Sequence, residues 1–353
     1  METDINQKSY SIEEEKSVVY ICDDNYTWLT GASMSSLLKW NRNVHVYIVG
    51  ADIQLENRLL LEDVAHMNGG NCSILDVPEK FKKILPGQRW PVFTLARLYI
   101  SDILPDCIKR ILYLDSDTLI TNDIKELWEM DMKDKLFYGV KDCIGRRYKR
   151  NIDLAENDIY INGGVLLMNL DALRKKKITE EICPFLRNYY NTMSYFDQDV
   201  LNAVFRGKIG ILPPEYNVMT IVERIGYKGL CTLRHPSNYY SQIEIDYAKA
   251  HPRIIHFSRH MLSIQPWSED SDHPYAETFR LYAYTSPWKE RLKEERIPSW
   301  RKMIAKGFCG SPKPLQNMLL QVMGFLHAVW CPTLRYLKGG KCRISDQNRY
   351  RKI

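Results

Sequence analysis

Two carboxylates one residue apart, Asp115 and Asp117, follow a fully apolar run in RILYLDSDTLI, residues 110–120. Ile111, Leu112, Tyr113 and Leu114 read as a buried strand, short and continuous like the interior strands of a parallel sheet. Burying charge is costly, so the two acids belong at the carboxyl end of that strand, where the chain meets solvent or a ligand. In extended backbone residues i and i+2 point the same way, which aims both carboxylates at one point. Like charges so aimed repel each other unless something positive lies between them, and a divalent metal is the obvious candidate. A second acidic pair, Asp23-Asp24, ends another apolar run in SVVYICDDNY, and His256 stands beside Ser258 and Arg259 in RIIHFS.

Strands must carry these acids, and the chain supplies them in alternation with helices. Apolar runs predict strands at SVVYI (17–21), VHVYIVG (44–50) and NCSILDV (71–77). Helical spacing links Leu29, Ala32, Met34, Leu37 and Leu38, and LENRLLLEDVAHM is a second helix that Asn68-Gly69-Gly70 closes. FTLARLYISDIL reads as a helix that delivers the chain into RILYLD. A capped helix from Asp123 through Trp128 follows, then a strand, LFYGV, that ends near Asp142. YINGGVLLMNL is apolar and alternating, and its Gly163-Gly164 predicts a tight turn or a close approach of backbone to ligand. Next come a Lys-rich helix, the helix SYFDQDVLNAVFRG, a strand pair around IGILPPEYNV and the strand RIIHFS. This order predicts an α/β fold with a mainly parallel central sheet flanked by helices. Ligands of such sheets lie beyond the carboxyl ends of the strands, so the acids at 23–24 and at 115 and 117 are expected on one edge.

The 353 residues suffice for one large α/β domain with an appendage, and the 45% hydrophobic and 26% charged content is ordinary for a globular protein. The nine cysteines are scattered without a C-x-x-C pair, which favours reduced thiols. The polar, acidic N-terminus carries no secretion signal, and no apolar run reaches the roughly 20 residues of a bilayer span. A cytoplasmic protein is expected. The formal charge is +6, with Arg335, Lys338, Lys341, Arg343, Arg349, Arg351 and Lys352 gathered in the tail. Just before it, LQNMLLQVMGFLHAVW (315–330) has apolar residues at helical spacing. The pair reads as an interfacial helix with a basic patch, suited to an anionic membrane face. The alternative is a helix packed on the catalytic domain or on another subunit. Composition shifts near residue 270, so the expected units are a polar tail (1–16), a catalytic domain (17–270) and a helical, basic extension (271–353).

CDDNY, FTLARL, LYLDSD, YINGGVLLMNL and FDQDVLNAVF with LPPEYNV resemble, in this order, the motifs of the retaining glycosyltransferases of family 8. The nearest type is the bacterial galactosyl- or glucosyltransferase of lipopolysaccharide and surface-glycan synthesis. The resemblance implies a GT-A nucleotide-diphospho-sugar transferase fold. It also implies transfer of a hexose from UDP-galactose or UDP-glucose to a saccharide or lipid-linked glycan acceptor. Asp115 and Asp117, with Ser116 between them, would then hold a divalent metal against the donor's diphosphate, with His256 as third ligand. Oxygen ligands suit Mn²⁺ or Mg²⁺, and a histidine among them leans toward Mn²⁺. The chemistry needs the cation because breaking the sugar–phosphate bond leaves negative charge on UDP.

The same resemblance places Asp23, Asp24, Asn25 and Tyr26 at the nucleoside, where an acid can accept from the uracil N3–H and Tyr26 can stack. Their simpler roles are helix capping and packing. Arg97 would meet the donor's phosphate or sugar hydroxyls, its alternative being a surface salt bridge. Asp142, Asn162, Gly163, Asp197 and Gln198 would surround the transferred sugar, with Asp197 and Gln198 the catalytic pair. A neutral amide is a poor nucleophile, so Gln198 takes a positioning or cation-stabilising role, and Asp199 faces structure. One departure stands out. The family's late His-Tyr-x-Gly and Lys-Pro-Trp motifs are here HFSRHMLSIQPW, with Gln265 at the lysine position and Arg259 or His260 as candidate substitutes. That loss favours a rival reading, a catalytically silent UDP-sugar-binding or scaffold protein. A nucleotidyltransferase would call for a Gly-rich phosphate loop after the first strand, which CDDNYTW lacks, and no motif supports nucleic-acid binding.

Overall fold

The computed structural model describes residues 15–82, 92–190, 192–290 and 298–326. The polar start up to residue 14, the end of the apolar C-terminal segment from residue 327 and the basic run from Arg335 to Lys352 lie outside the described residues. The strands are β1 (Lys16–Asp23), β2 (Val44–Ala51), β3 (Asn71–Asp76), β4 (Arg110–Leu114), β5 (Thr118–Ile120), β6 (Phe137–Lys141), β7 (Ile161–Asn169), β8 (Ile209–Ile211), β9 (Val218–Met219) and β10 (Ile254–His256). The longer helices are α1 (Thr27–Trp40), α2 (Leu55–Met67), α3 (Ile178–Tyr189), α4 (Phe196–Val204), α5 (Thr220–Arg234), α6 (Gln242–Ala250), α7 (Ala276–Tyr284), α8 (Ser299–Gly310) and α9 (Lys313–Phe325).

A seven-stranded sheet in the order β3-β2-β1-β4-β7-β6-β8 forms the middle layer. β1 pairs in parallel with β2 and β4, and β2 with β3, as the alternation of strands and helices requires. β7 is the exception, antiparallel to both β4 and β6. Its direction matters for chemistry. With Leu114 opposite Val165, the start of β7 lies beside the end of β4, so Asn162 and Gly163 reach the edge that Asp115 leaves from. A small second sheet, β5-β10-β9, sets His256 opposite Thr118 and level with Met219.

Three expectations change in the structure. The strand pair around 209–218 is no pair: β8 joins the large sheet and β9 the small one, because Pro213 and Pro214 between them break any continuous ladder. Val92–Tyr99 winds as a 3₁₀ helix before an α turn at Ile100–Ile103; Leu95 and Leu98, three apart, stack inward on the same side. The helix expected from Asp123 shortens to Glu126–Glu129, with the Asp123 carboxylate capping Lys125 N.

Apolar layers cover both faces of the large sheet. α1 is buried almost throughout, its hydroxyls included, because the strand edges above it supply partners. Thr30 bonds Ser116 and Ser33 bonds Thr118, each at 2.8 Å, while Ser36 accepts from Ile120 N at 3.0 Å. These bonds pin the turn between β4 and β5. The core runs past residue 270, for Phe279 and Ala283 of α7 belong to it, and Trp288 packs on Gly31 and donates to Asn57 at 2.7 Å.

α9 docks on α5 through Leu320 and Gly324, with Leu233, Leu262 and Phe308 completing a small cluster. Leu315, Met318, Val322 and Phe325 lie along another side of α9 and are 40% to 59% exposed. No helix among the described residues is long and apolar enough to cross a membrane. A Cβ at Gly324 would overlap the Leu233 carbonyl, so Gly324→Val is expected to lift α9 off α5 at a cost of about 1–3 kcal/mol. Limited proteolysis should then cut the C-terminal helices sooner than in the parent; equal protection would show that the helix spacing relaxes without cost.

Candidate active site

The acidic turn, the β10 histidine and the start of β7 converge at one edge of the sheet. Asp115, Asp117 and His256 bring one ligand atom each within 4.8 Å of one another. His256 Nε2 stands 3.3 Å from Asp117 Oδ1 and 3.7 Å from Asp115 Oδ2. Gly164 closes the floor, where a Cβ would overlap the imidazole and come within 2.9 Å of Asp115 Oδ2. The Gly163-Gly164 pair therefore serves close approach inside a strand rather than a turn. Two oxygens and one imidazole nitrogen form a donor set that suits Mn²⁺ or Mg²⁺, so the residues fit the expected metal.

Charge in this cluster is balanced from within. Burial disfavours the imidazolium of His256, yet Asp117 and then Asp115 outweigh burial and hold its pKa above the ordinary value. Burial likewise opposes the charge on Asp117, but His256, with Arg259 adding, keeps its carboxyl below the usual range. Arg97 carries the second positive charge. Its guanidinium lies 3.1 Å from Asp115 Oδ1 and 2.7 Å from Asp197 Oδ2, and it donates to Gly163 O at 2.7 Å over the Tyr113 ring. Arg97 is thus neither a surface salt bridge nor a free clamp; it ties β4 to α4. Burial is the largest influence on Asp197 and lifts its carboxyl to about 6 despite Arg97, which still leaves it ionised at neutral pH.

The residues expected around the sugar join in one largely buried network. Gln198 Oε1 accepts from Gly163 N at 3.0 Å and Asn162 Nδ2 at 3.1 Å, and Gln198 Nε2 donates to Asp142 at 3.0 Å. Asp199, one step on, faces the core as expected and accepts from Tyr148, Tyr160 and the backbone of Ser194 and Tyr195. Beside Asp142, Asn162 and Gln198 opens a cavity of about 570 Å³, walled further by Met219, Ile221, Arg259 and Met323.

At the other end, Asp23 caps the turn at Asp24–Tyr26, accepting from Asn25 N and Tyr26 N. Asp24 holds Gln54 N at 2.9 Å and Asn57 at 2.7 Å. Asn25 and Tyr26 are exposed, which leaves the Tyr26 ring open for stacking. Ser116 is spent on Thr30. Gln265 does not join the network: it is buried, and its side chain makes no hydrogen bond among the described residues. Nor does His260 supply the missing cation, for burial, with Arg234 and Arg301 adding, drives its pKa down to about 4. Tyr113 and Asn217 escaped the sequence reading. Tyr113 donates to Asp115 at 2.6 Å and Asn217 bonds both His256 and Asn162. A tyrosine inside an apolar run and an asparagine after a turn carry no chemical signature of their own.

Comparisons with known proteins agree with this geometry. The model of glycosyl transferase family 8 matches residues 17–271. The general stress protein A of Bacillus subtilis is 25% identical over 283 residues, 78% of this chain and 96% of its own length. A lipopolysaccharide 1,2-glucosyltransferase of Escherichia coli K12 is 25% identical over 294 residues, 81% of this chain and 83% of its own. The crystal structure of the galactosyltransferase LgtC with donor and acceptor sugar analogues superposes with a TM-score of 0.65 at 24% identity, covering 81% of this chain and 99% of that one. At that identity the likeness concerns the fold, which is GT-A.

A proton on His256 Nε2 competes with a metal for the same lone pair. Because the facing carboxylates raise the His256 pKa above its ordinary value, Mn²⁺ affinity is expected to climb severalfold, at least about fourfold, between pH 6 and pH 8. Calorimetric titration at several pH values checks this; a flat profile would remove His256 from the ligand set.

Proposed function

The chain belongs to glycosyl transferase family 8 and is a glycosyltransferase; from that premise we propose that it moves a galactose or glucose from a UDP-sugar to a saccharide acceptor with retention of configuration. The observation that carries this reading is the Asp115–Asp117–His256 cluster set beside the Asp142–Asn162–Gln198 network on one sheet edge. A Mn²⁺ ion held by Asp115, Asp117 and His256 would supply positive charge against the departing diphosphate. The nucleoside end falls to Tyr26 for stacking and to the Asp23–Asp24 turn. Asp142 and Gln198 hold sugar hydroxyls, and the neighbouring cavity admits the acceptor.

Which groups are already occupied supports one route to retention. Asp197 is ion-paired to Arg97, and a carboxylate so held is a blunted nucleophile. The Gln198 amide is engaged at both its oxygen and its nitrogen. These pairings favour same-face attack: the acceptor hydroxyl oxygen bonds to the anomeric carbon as the bond to UDP breaks, its proton passes to the departing diphosphate oxygen, and Gln198 positions the sugar. The likeness to a lipopolysaccharide glucosyltransferase supports an acceptor in lipopolysaccharide or surface-glycan synthesis. Gln265 in place of the family's lysine, with a neutral His260 nearby in sequence, favours the silent UDP-sugar-binding protein as the second reading.

UDP release is expected from one UDP-hexose in the presence of Mn²⁺, and is expected to fall at least about a hundredfold with EDTA or in Asp117→Ala. UDP binding without release, across a panel of acceptors, would favour the silent protein; no binding would overturn both readings.

The same reading includes attachment to an anionic membrane face. The exposed side of α9 and the exposed Trp300, Met303 and Ile304 of α8 support it, with Arg301, Lys302, Lys306 and Lys313 close in sequence. The chain is expected to sediment with vesicles containing about one-third phosphatidylglycerol but not with neutral vesicles, and the double variant Met318→Ser and Phe325→Ser to lose most of that binding. Equal binding by the double variant would direct this surface elsewhere.

A further inference from the structure

Asn217 lies in the LPPEYNV block, but its sequence context assigns it no role at the site. It is 1% exposed, in the single step between the 3₁₀ turn Pro214–Tyr216 and β9. Its Oδ1 lies 3.1 Å from His256 Nδ1, and its Nδ2 donates to Asn162 Oδ1 at 2.9 Å. The orientation of these amides follows from two backbone groups that can only donate. Gly164 N bonds Asn162 Oδ1 at 2.9 Å, so the atom there is an acceptor and the Asn217 atom beside it must be the NH₂. Asn217 Oδ1 is then the atom that faces His256, and it can only accept. His256 must donate from Nδ1, so Nε2 is the ring nitrogen that faces Asp115 and Asp117 and is the one a metal would bind in exchange for a proton. Gly163 N fixes Gln198 Oε1 in the same way, and the order continues through Gln198 Nε2 to Asp142.

We infer that Asn217 is a positioning residue that selects the metal-binding tautomer of His256 and couples it to the sugar-holding amides. The inference rests on the metal-dependent reading of the site. Through Asn217, one line of hydrogen bonds runs from the metal-facing imidazole to the carboxylate at the acceptor cavity. Outer partners of metal-bound histidines orient the ring and raise its basicity, and their loss costs about 10–100-fold in metal affinity or activity. A shift of the imidazole here would also move Asn162, and with it the Gln198 oxygen that Asn162 shares with Gly163.

Two variants separate the two arms of Asn217. Asn217→Ala removes both, and Mn²⁺ affinity measured by calorimetry without nucleotide is expected to fall about 10–100-fold. Asn217→Asp keeps an acceptor for His256 Nδ1 and loses the donor to Asn162. Its Mn²⁺ affinity is expected to stay within about threefold of the parent while UDP-hexose turnover drops about tenfold. Nitrogen-15 spectra of the histidines, with diamagnetic Mg²⁺ in place of Mn²⁺, report the tautomer directly: Nδ1–H in the metal-loaded parent and in Asn217→Asp, and loss of that preference in Asn217→Ala. Equal Mn²⁺ affinity and unchanged histidine signals in Asn217→Ala would overturn the inference while leaving the transferase reading intact. Parallel losses in both variants would overturn it too, since Asn217 would then be structural only. A parent protein that binds no Mn²⁺ would overturn the metal reading and the inference together.

Discussion

Three carboxylates and two cations share one small volume at the sheet edge, and most of the architecture exists to make that arrangement stable. Asp115, Asp117 and Asp197 would repel one another at these distances if left alone. Arg97 bridges two of them and His256 faces two, so each acid has a positive neighbour within 4 Å. Charges so enclosed are weakly screened, which makes each pairing matter more than a surface ion pair would. Removing either cation would leave carboxylates uncompensated, a loss of about 3–5 kcal/mol. The cluster is therefore a structural centre as well as a chemical one.

The second constraint is that buried amides need complete hydrogen bonding. Asn162, Gln198 and Asn217 meet it by bonding one another and the amides of Gly163 and Gly164. Glycine is required at 164 for space, since a side chain there would displace the imidazole. The same small residue thus provides room for His256 and a donor that orders the network. Asn202, fully buried, bonds both backbone groups of Ile161 and holds the start of β7 to α4. This is how a helix residue such as Gln198 comes to lie beside a strand residue such as Asn162.

The C-terminal helices enter the same picture at the cavity beside Asp142, Asn162 and Gln198. Met323 of α9 and Met219, two residues after Asn217, both line the cavity that begins at Asp142. Gln265 and His260 add no positive charge to this end, and Arg259 adds to His256 in holding the Asp117 carboxyl down.

What was legible from sequence was local. The i, i+2 spacing of Asp115 and Asp117 on a strand end is a property of extended backbone, and the order of apolar runs implied both the α/β class and the edge where ligands gather. The motif order implied the family. Pairing partners were not legible, because they depend on contacts far apart in the chain. Nothing in YINGGVLLMNL states that it runs against β4, yet that direction alone brings Asn162 to Asp115. Nothing in RIIHFS names Thr118 and Met219 as the neighbours that aim His256 at the acids. Arg97 was readable as a site residue but not as one bound to Asp115 and Asp197, and Asn217 was not readable as one at all. Sequence determined which chemistry the chain carries, since strand ends and motifs are written in consecutive residues. Only the tertiary structure decided which groups share a charge and which amide orients which histidine, since those relations exist only across strands that fold together.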